Sequence, residues 1–226
     1  MQSLSWKRLE FASLLSYPPR PDEVAEALRA EARGARNLVL QLKDGRLVGT
    51  PPESVSARIA RLLSSAPVSA RAVTPFLPRT ATLVPVPKSS LLTRGGLWVP
   101  DQLSRELVRL GLGRRVAQLL ERTEPIPKAA RSLSTDRPSA VLNYQTLAAR
   151  RDLDTPSELV LVDDVVTAGA TLLGSLNRLR EAYPQVPIRA FAAARTLTDP
   201  SRFRAIIEPV AGVILLRPNG RTQRDP

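Results

Sequence analysis

The chain has 226 residues, a hydrophobic share of 43%, few aromatics and a formal net charge of +12. That length suits one large domain or two small ones, with a core built from aliphatic side chains. There is neither cysteine nor histidine, which excludes disulfides, thiolate nucleophiles, thiolate metal sites and imidazole acid–base chemistry.

Residues 1–36 are polar and helix-prone, and they read as an N-terminal helical extension. Within them, the proline-rich break at 17–21 separates the stretch 9–15 from a helical stretch at 22–33. Residues 37–42 (NLVLQL) read as a strand, and Asp44-Gly45 as a hairpin turn into 46–49. Residues 54–63 have helical periodicity, with Val55, Ile59, Leu62 and Leu63 on one face. Residues 82–86 form the next strand, where Pro85 and Pro87 alternate with Val84 and Val86 as at a strand end. A loop at 88–96 leads into a helix at 101–110, closed by Gly111, and then a short strand at 116–120. Residues 121–145 are polar, basic and proline-bearing, the composition of a long loop or lid.

Residues 159–162 are four apolar residues that end in two adjacent aspartates, Asp163 and Asp164. A run this short and apolar reads as a buried parallel strand. Adjacent aspartates at the end of a core strand need a chemical reason, since charge is costly to bury. A small-residue turn follows at 167–171, then a helical run at 172–182. Such a turn can present backbone N–H groups at the mouth of a helix, where an anion binds well. Two carboxylates beside an anion pocket suit a ligand with both hydroxyls and a phosphate, such as a phosphorylated ribose. Other phosphate loops fit less well. Ser175 stands where a Walker A loop needs lysine, and Gly111-Leu112-Gly113 ends a helical pattern instead of opening one. Residues 187–195 form another parallel-type strand, 205–207 and 213–216 the last short ones, and 218–226 a polar tail that frays. Strands alternating with helices give an α/β fold with a mostly parallel central sheet, as one domain over 37–217.

The segment from 159 to 171 resembles the 5-phosphoribosyl-1-diphosphate (PRPP) binding signature of type I phosphoribosyltransferases. That signature is several apolar residues, two acids, two aliphatics, then Thr/Ser-x-Gly-x-Thr/Ser, and every position is filled. The likeness extends over roughly 37–197, and its order is similar to the ComF-like branch. Val84 to Pro87 stand for the Val-Pro-Val-Pro strand, Arg94-Gly95 for the Arg-Gly loop, and 121–145 for the basic hood. Two departures are plain. The branch's N-terminal zinc finger needs cysteines that this chain lacks, and its Arg-Gly-Phe-Asn-Gln is replaced by Arg-Gly-Gly-Leu-Trp at 94–98. The chain looks more like a stand-alone relative, with a competence role in doubt.

The resemblance implies a type I phosphoribosyltransferase (Rossmann-like) fold with a hood. It implies that Asp163 and Asp164 hold the ribose hydroxyls. Val165, Val166, Thr167, Ala168, Gly169, Ala170 and Thr171 would complete the PRPP site and cradle the 5′-phosphate. Lys88, Ser89 and Ser90 would form the pyrophosphate loop. Lys128 and Arg131 would act from the hood, with Arg195 and Thr196 on the acceptor side. Asp163, Asp164 and Lys88 are the residues expected to carry catalysis. With no thiolate or imidazole available, the implied metal is hard and oxygen-ligated. Mg²⁺ is expected mainly on PRPP oxygens, with Asp163 as a candidate protein contact.

The implied reaction transfers the phosphoribosyl group from PRPP to an unidentified nitrogen acceptor and releases pyrophosphate. Two alternatives stay open, a non-catalytic PRPP or nucleotide sensor of the same fold and a DNA-associated protein. The basic excess is spread along the chain and does not form one stripe, which disfavours nucleic acid. Of the 33 basic residues only Lys7, Lys43, Lys88 and Lys128 are lysines, so a lysine in the proposed site stands out. Glu10 interrupts the only signal-like stretch, and no segment approaches spanning length, so a cytoplasmic protein without a membrane partner is expected. The family's habit of pairing makes a homodimer a further expectation.

Overall fold

The computed structural model describes residues 4–65, 71–93, 95–127 and 138–226. In chain order the elements are β1 Arg8–Tyr17, α1 Arg29–Lys43, β2 Leu47–Val48, β3 Glu53–Ser54, α2 Val55–Ser65 and β4 Thr82–Pro85. They continue with α3 Val99–Arg109, β5 Arg115–Val116, β6 Leu120–Arg122, α4 Ala140–Gln145 and β7 Leu147–Ala149. Last come β8 Leu159–Val166, α5 Ala170–Ala182, β9 Ile188–Thr196, β10 Ile207–Leu216 and β11 Thr222–Asp225. Seven strands form one sheet in the order β11-β10-β1-β9-β8-β4-β5. From β1 to β5 across this sheet every neighbour pair is parallel, and β10 and β11 close the other edge antiparallel. The fold is thus α/β with a mostly parallel sheet flanked by helices.

Strand β8 shows why the sheet sits where it does. Its side chains alternate, as strand geometry requires. Leu159 and Leu161 join one core with Leu172, Leu173, Leu176 and Leu179 of α5. Val160 and Val162 join the other, with Val39 and Leu42 of α1, Ile59 and Leu63 of α2, and Leu103 and Leu107 of α3. A strand covered on both faces must be apolar throughout, which accounts for the uninterrupted run Leu159–Val162.

Several expectations are corrected. The N-terminal segment is not a helical extension. Residues 8–17 form β1, which lies between β10 and β9 in the middle of the sheet. Phe11 and Ala12 are fully buried there, and pairing on both sides overrides the local helical preference. Residues 37–42 are not a strand but the second half of α1. Its buried Ala32, Ala35, Val39 and Leu42 recur at helical spacing, so the face begins upstream of the apolar run. The expected hairpin forms further on, as the β2–β3 pair. The expected strand at 116–120 is two separate pieces, with β5 on the main sheet and β6 paired to β7 in a small one.

The stretch 121–145 is not one irregular loop either. It contains the end of β6 and the helix α4, which Ser139 caps by accepting the Leu142 N–H at 3.1 Å. A Cβ on Gly174 of α5 would stand 2.6 Å from Asn143 Cβ and 2.7 Å from the Ala140 carbonyl, so glycine there lets the two helices meet. The two short strands expected at 205–207 and 213–216 are one long strand, β10. The polar tail is ordered, since β11 pairs with β10 through a turn at Asn219-Gly220. Among the described residues, no helix is long and apolar enough to cross a membrane.

Because β1 is central, Phe11→Ala should cost about 3–5 kcal/mol of unfolding free energy, as for other fully buried aromatics. Urea denaturation followed by circular dichroism measures this. A loss below 1 kcal/mol, roughly the surface-substitution range, would contradict the placement of β1.

Candidate functional site

Strand β8 continues through both aspartates to Val166. Each carboxylate is steadied by the backbone just ahead of it. Asp163 Oδ1 accepts the Asp164 N–H at 2.9 Å, and Asp164 Oδ1 accepts the Val165 N–H at 2.9 Å. The chain then turns at Thr167–Ala168 and enters α5 through Gly169, whose φ of +85° is left-handed. A Cβ at Gly169 would also stand 2.5 Å from Ile214 Cδ1 on β10, so a neighbouring strand pins this turn. The Gly169 carbonyl accepts the Leu173 N–H at 2.9 Å, which is the first helical bond. No side chain caps the helix, and no acid lies in its first turn. The N–H groups of Ala170, Thr171 and Leu172 therefore have no intrahelical partner and carry the positive end of the helix dipole.

This helix mouth opens on a cavity of about 700 Å³. Asp163, Asp164 and all of Val165, Val166, Thr167, Ala168, Gly169, Ala170 and Thr171 line it. Across from them stand Lys88 and Ser89, from the loop after β4. β4 and β8 are adjacent and parallel, so the cavity lies beyond the carboxyl ends of neighbouring strands, the usual place for ligands in such sheets. Val86, Leu97, Val99 and Ile126 give it an apolar wall.

The loop is well held. Lys88 Nζ donates to the Leu97 carbonyl at 2.8 Å, Trp98 Nε1 donates to the Val86 carbonyl at 2.9 Å, and the Ile126 N–H donates to the Ser89 carbonyl at 2.8 Å. Arg122 is 3% exposed and donates from Nε to the Lys88 carbonyl at 2.9 Å. Its other donors reach Thr146 Oγ1 at 2.6 Å and Asn143 Oδ1 at 3.2 Å. All three acceptors are neutral, so its charge remains uncompensated at the cavity wall. Burial pushes the Arg122 guanidinium down to about 10, which still leaves it cationic at pH 7.

Four cations (Lys43, Lys88, Arg122 and Arg221) and two acids (Asp163 and Asp164) line the cavity. Asp163 is pushed well above the ordinary carboxylate range, first by desolvation and then by the Asp164 charge beside it, while Lys43 pulls the other way. Asp163 is partly exposed and lines the cavity, so a ligand can reach it. Such perturbed acids in a cleft are characteristic of binding and catalytic sites.

The sequence-predicted residues divide clearly. Lys88, Ser89 and the run from Asp163 to Thr171 share the cavity, and Ser90 does not line it. Arg195 does not line this cavity. It is 4% exposed and held by Glu208, with Nη2 to Oε2 at 2.6 Å, and faces a different cavity. Thr196 reaches the turn only through its hydroxyl, 3.3 Å from Thr167 Oγ1. Lys128, Arg131 and Arg94 lie outside the described residues. Sequence reasoning missed Lys43, Arg122 as a wall cation, and the 219–222 turn. Asn219-Gly220 was a readable hairpin signal. Arg122 carried none, being one arginine among many.

No protein-family model matches the chain, and no curated protein matches it.

The raised Asp163 pKa has a defined consequence for stability. Between the ordinary value of 3.8 and the raised folded value, the folded state keeps a proton that the unfolded state has lost. Stability therefore falls as pH rises through that window. Asp163→Asn keeps the shape and its hydrogen bonds without the charge. It should raise the melting temperature at pH 7, and the gain should shrink to nothing as pH approaches 3.8. A variant that melts lower than the parent at pH 7 would contradict this.

Proposed function

We propose that the chain is a type I phosphoribosyltransferase that binds PRPP in the cavity at the end of β8. The reading rests on one observation above the others, the joining of an acidic pair and an uncapped helix mouth across the turn Thr167–Gly169. The acids suit ribose hydroxyls, which donate. The helix mouth suits the 5′-phosphate, which accepts. The Lys88–Ser89 loop and Arg122 lie across the same cavity and suit the diphosphate.

In the proposed reaction the bond from the anomeric carbon to the diphosphate oxygen breaks and a bond to the acceptor nitrogen forms. The diphosphate leaves with the electron pair, and the proton shed by the nitrogen passes to the departing diphosphate or to water. The transition state resembles an oxocarbenium ion, as in glycoside cleavage. The chain's own residues have three tasks there. Asp163 and Asp164 orient the ring through its hydroxyls. Lys88 and Arg122 take up charge on the departing diphosphate, which is electrostatic stabilisation in a partly dry cleft. The apolar wall shields the reacting carbon from water.

Among the described residues no cluster of three or more acidic or imidazole groups is suited to a metal. Asp163 and Asp164 are the carboxylates that line the cavity and would hold Mg²⁺ there, with ligand oxygens completing its shell. Bound there, Mg²⁺ would supply charge neutralisation at the diphosphate.

Calorimetry tests the diphosphate assignment. Lys88→Ala should weaken PRPP about tenfold, the loss of one charge-assisted contact, while leaving a nucleoside monophosphate nearly unchanged. Parallel losses for both ligands would contradict it. Release of pyrophosphate in the presence of candidate nitrogen bases separates an enzyme from a sensor.

A further inference from the structure

A second cavity, of about 310 Å³, shares no lining residue with the first. Arg195, Arg202, Arg204 and Arg224 line it, with Asp199 and Glu208. Both carboxylates are already engaged. Glu208 Oε2 takes Arg195 Nη2 at 2.6 Å and the Ser16 hydroxyl at 2.7 Å. Asp199 Oδ1 takes the Ser201 N–H at 3.0 Å and the Ser201 hydroxyl at 2.7 Å. Among the described residues, Arg202, Arg204 and Arg224 have no carboxylate at ion-pair distance; Arg195 has Glu208.

Arg224 is the most confined of the three. Its Nη2 donates to the Thr196 carbonyl at 2.7 Å, while Nε and Nη1 are buried without a partner. Its guanidinium carbon lies 5.9 Å from the centroid of the Phe11 ring. Burial, then the charges of Arg195 and Arg202, push it down to about 10, so it stays cationic at neutral pH. Like charges gathered in a half-buried recess repel one another. Among the described residues Glu208 pairs with Arg195 and Asp199 lies near Arg202 and Arg204, and the arginines still outnumber these carboxylates.

We infer that this cavity is a second anion site, built to take the phosphate group of a small ligand. Counting side chains, four arginines against two carboxylates leave an excess of two positive charges. A phosphate monoester carries about −1.5 to −2 at pH 7, which matches that excess better than a single carboxylate does. Guanidinium forks pair with phosphate oxygens through two parallel hydrogen bonds. The volume lies at the lower end of small-ligand pockets, roughly 300–1,000 Å³, which selects a compact anion. Free phosphate and the phosphate of a nucleotide share this chemistry.

Isothermal titration with inorganic phosphate, and separately with adenosine 5′-monophosphate, tests the assignment. The comparison is between the parent and Arg202→Gln/Arg204→Gln. Both side chains are exposed, so the fold should survive, and a thermal melt verifies that. The double variant should lose one class of phosphate site, with an affinity drop of about tenfold or more. Equal sensitivity with adenosine 5′-monophosphate would assign the site to a nucleotide, and sensitivity with phosphate alone to the free ion. Phosphate binding at the α5 mouth does not depend on these arginines and persists in the variant, so the two sites can fail separately. Unchanged phosphate binding in the double variant, or no variant-sensitive binding in the parent, would overturn the inference.

Discussion

Strand β8 carries side chains into both cores at once and then delivers two carboxylates beyond them. Leu159–Val162 fasten it between α5 on one face and α1, α2 and α3 on the other. Parallel partners β4 and β9 hold it on either side. A strand so fixed cannot slip by one residue without turning its apolar set over. The aspartates therefore inherit their position from the core. The turn that follows is fixed from a third direction, since Gly169 packs against Ile214 of β10. Acidic pair, turn and helix mouth thus form one rigid unit, which is what a site requires of its scaffold.

The cavity is electrostatically divided. One wall holds two adjacent acids, and the other walls hold Lys43, Lys88, Arg122 and Arg221. Direct pairing of these groups would quench them, and the fold limits it. Arg122 is satisfied by neutral oxygens, and Lys88 by a carbonyl. Their charges stay available to a ligand. Burial and the neighbouring Asp164 charge raise Asp163, and Lys43 offsets this only in part. A molecule carrying hydroxyls at one end and phosphates at the other relieves both walls together.

The elements whose apolar pattern is local were legible in the sequence, among them α2, α3, β4, β8, α5 and β9. The signature residues and the Lys88–Ser89 loop could be expected to share a site because all lie at strand ends of a parallel sheet. What failed depended on distant partners. β1 owes its state to β9 and β10, which come some 170 residues or more later in the chain. Residues 37–42 could be a strand or a helix until the upstream alanines of α1 were seen to share their face. That Arg195 turns to Glu208 on β10 and lines a different cavity was not legible, because no motif marks Glu208. Arg122 was unremarkable in an arginine-rich chain, and only its buried, neutral environment distinguishes it.

The central claim is that the acids and the α5 mouth bind one ribose phosphate between them. The most direct measurement is a backbone amide titration by nuclear magnetic resonance with ribose 5-phosphate, ribose and inorganic phosphate. The account predicts that ribose 5-phosphate shifts the amides of Asp164 and Val165 together with those of Ala170, Thr171 and Leu172. Ribose alone should perturb neither group strongly. If ribose 5-phosphate at saturation leaves the Ala170–Leu172 amides unmoved, or moves them without touching Asp164 and Val165, the two halves do not form one site.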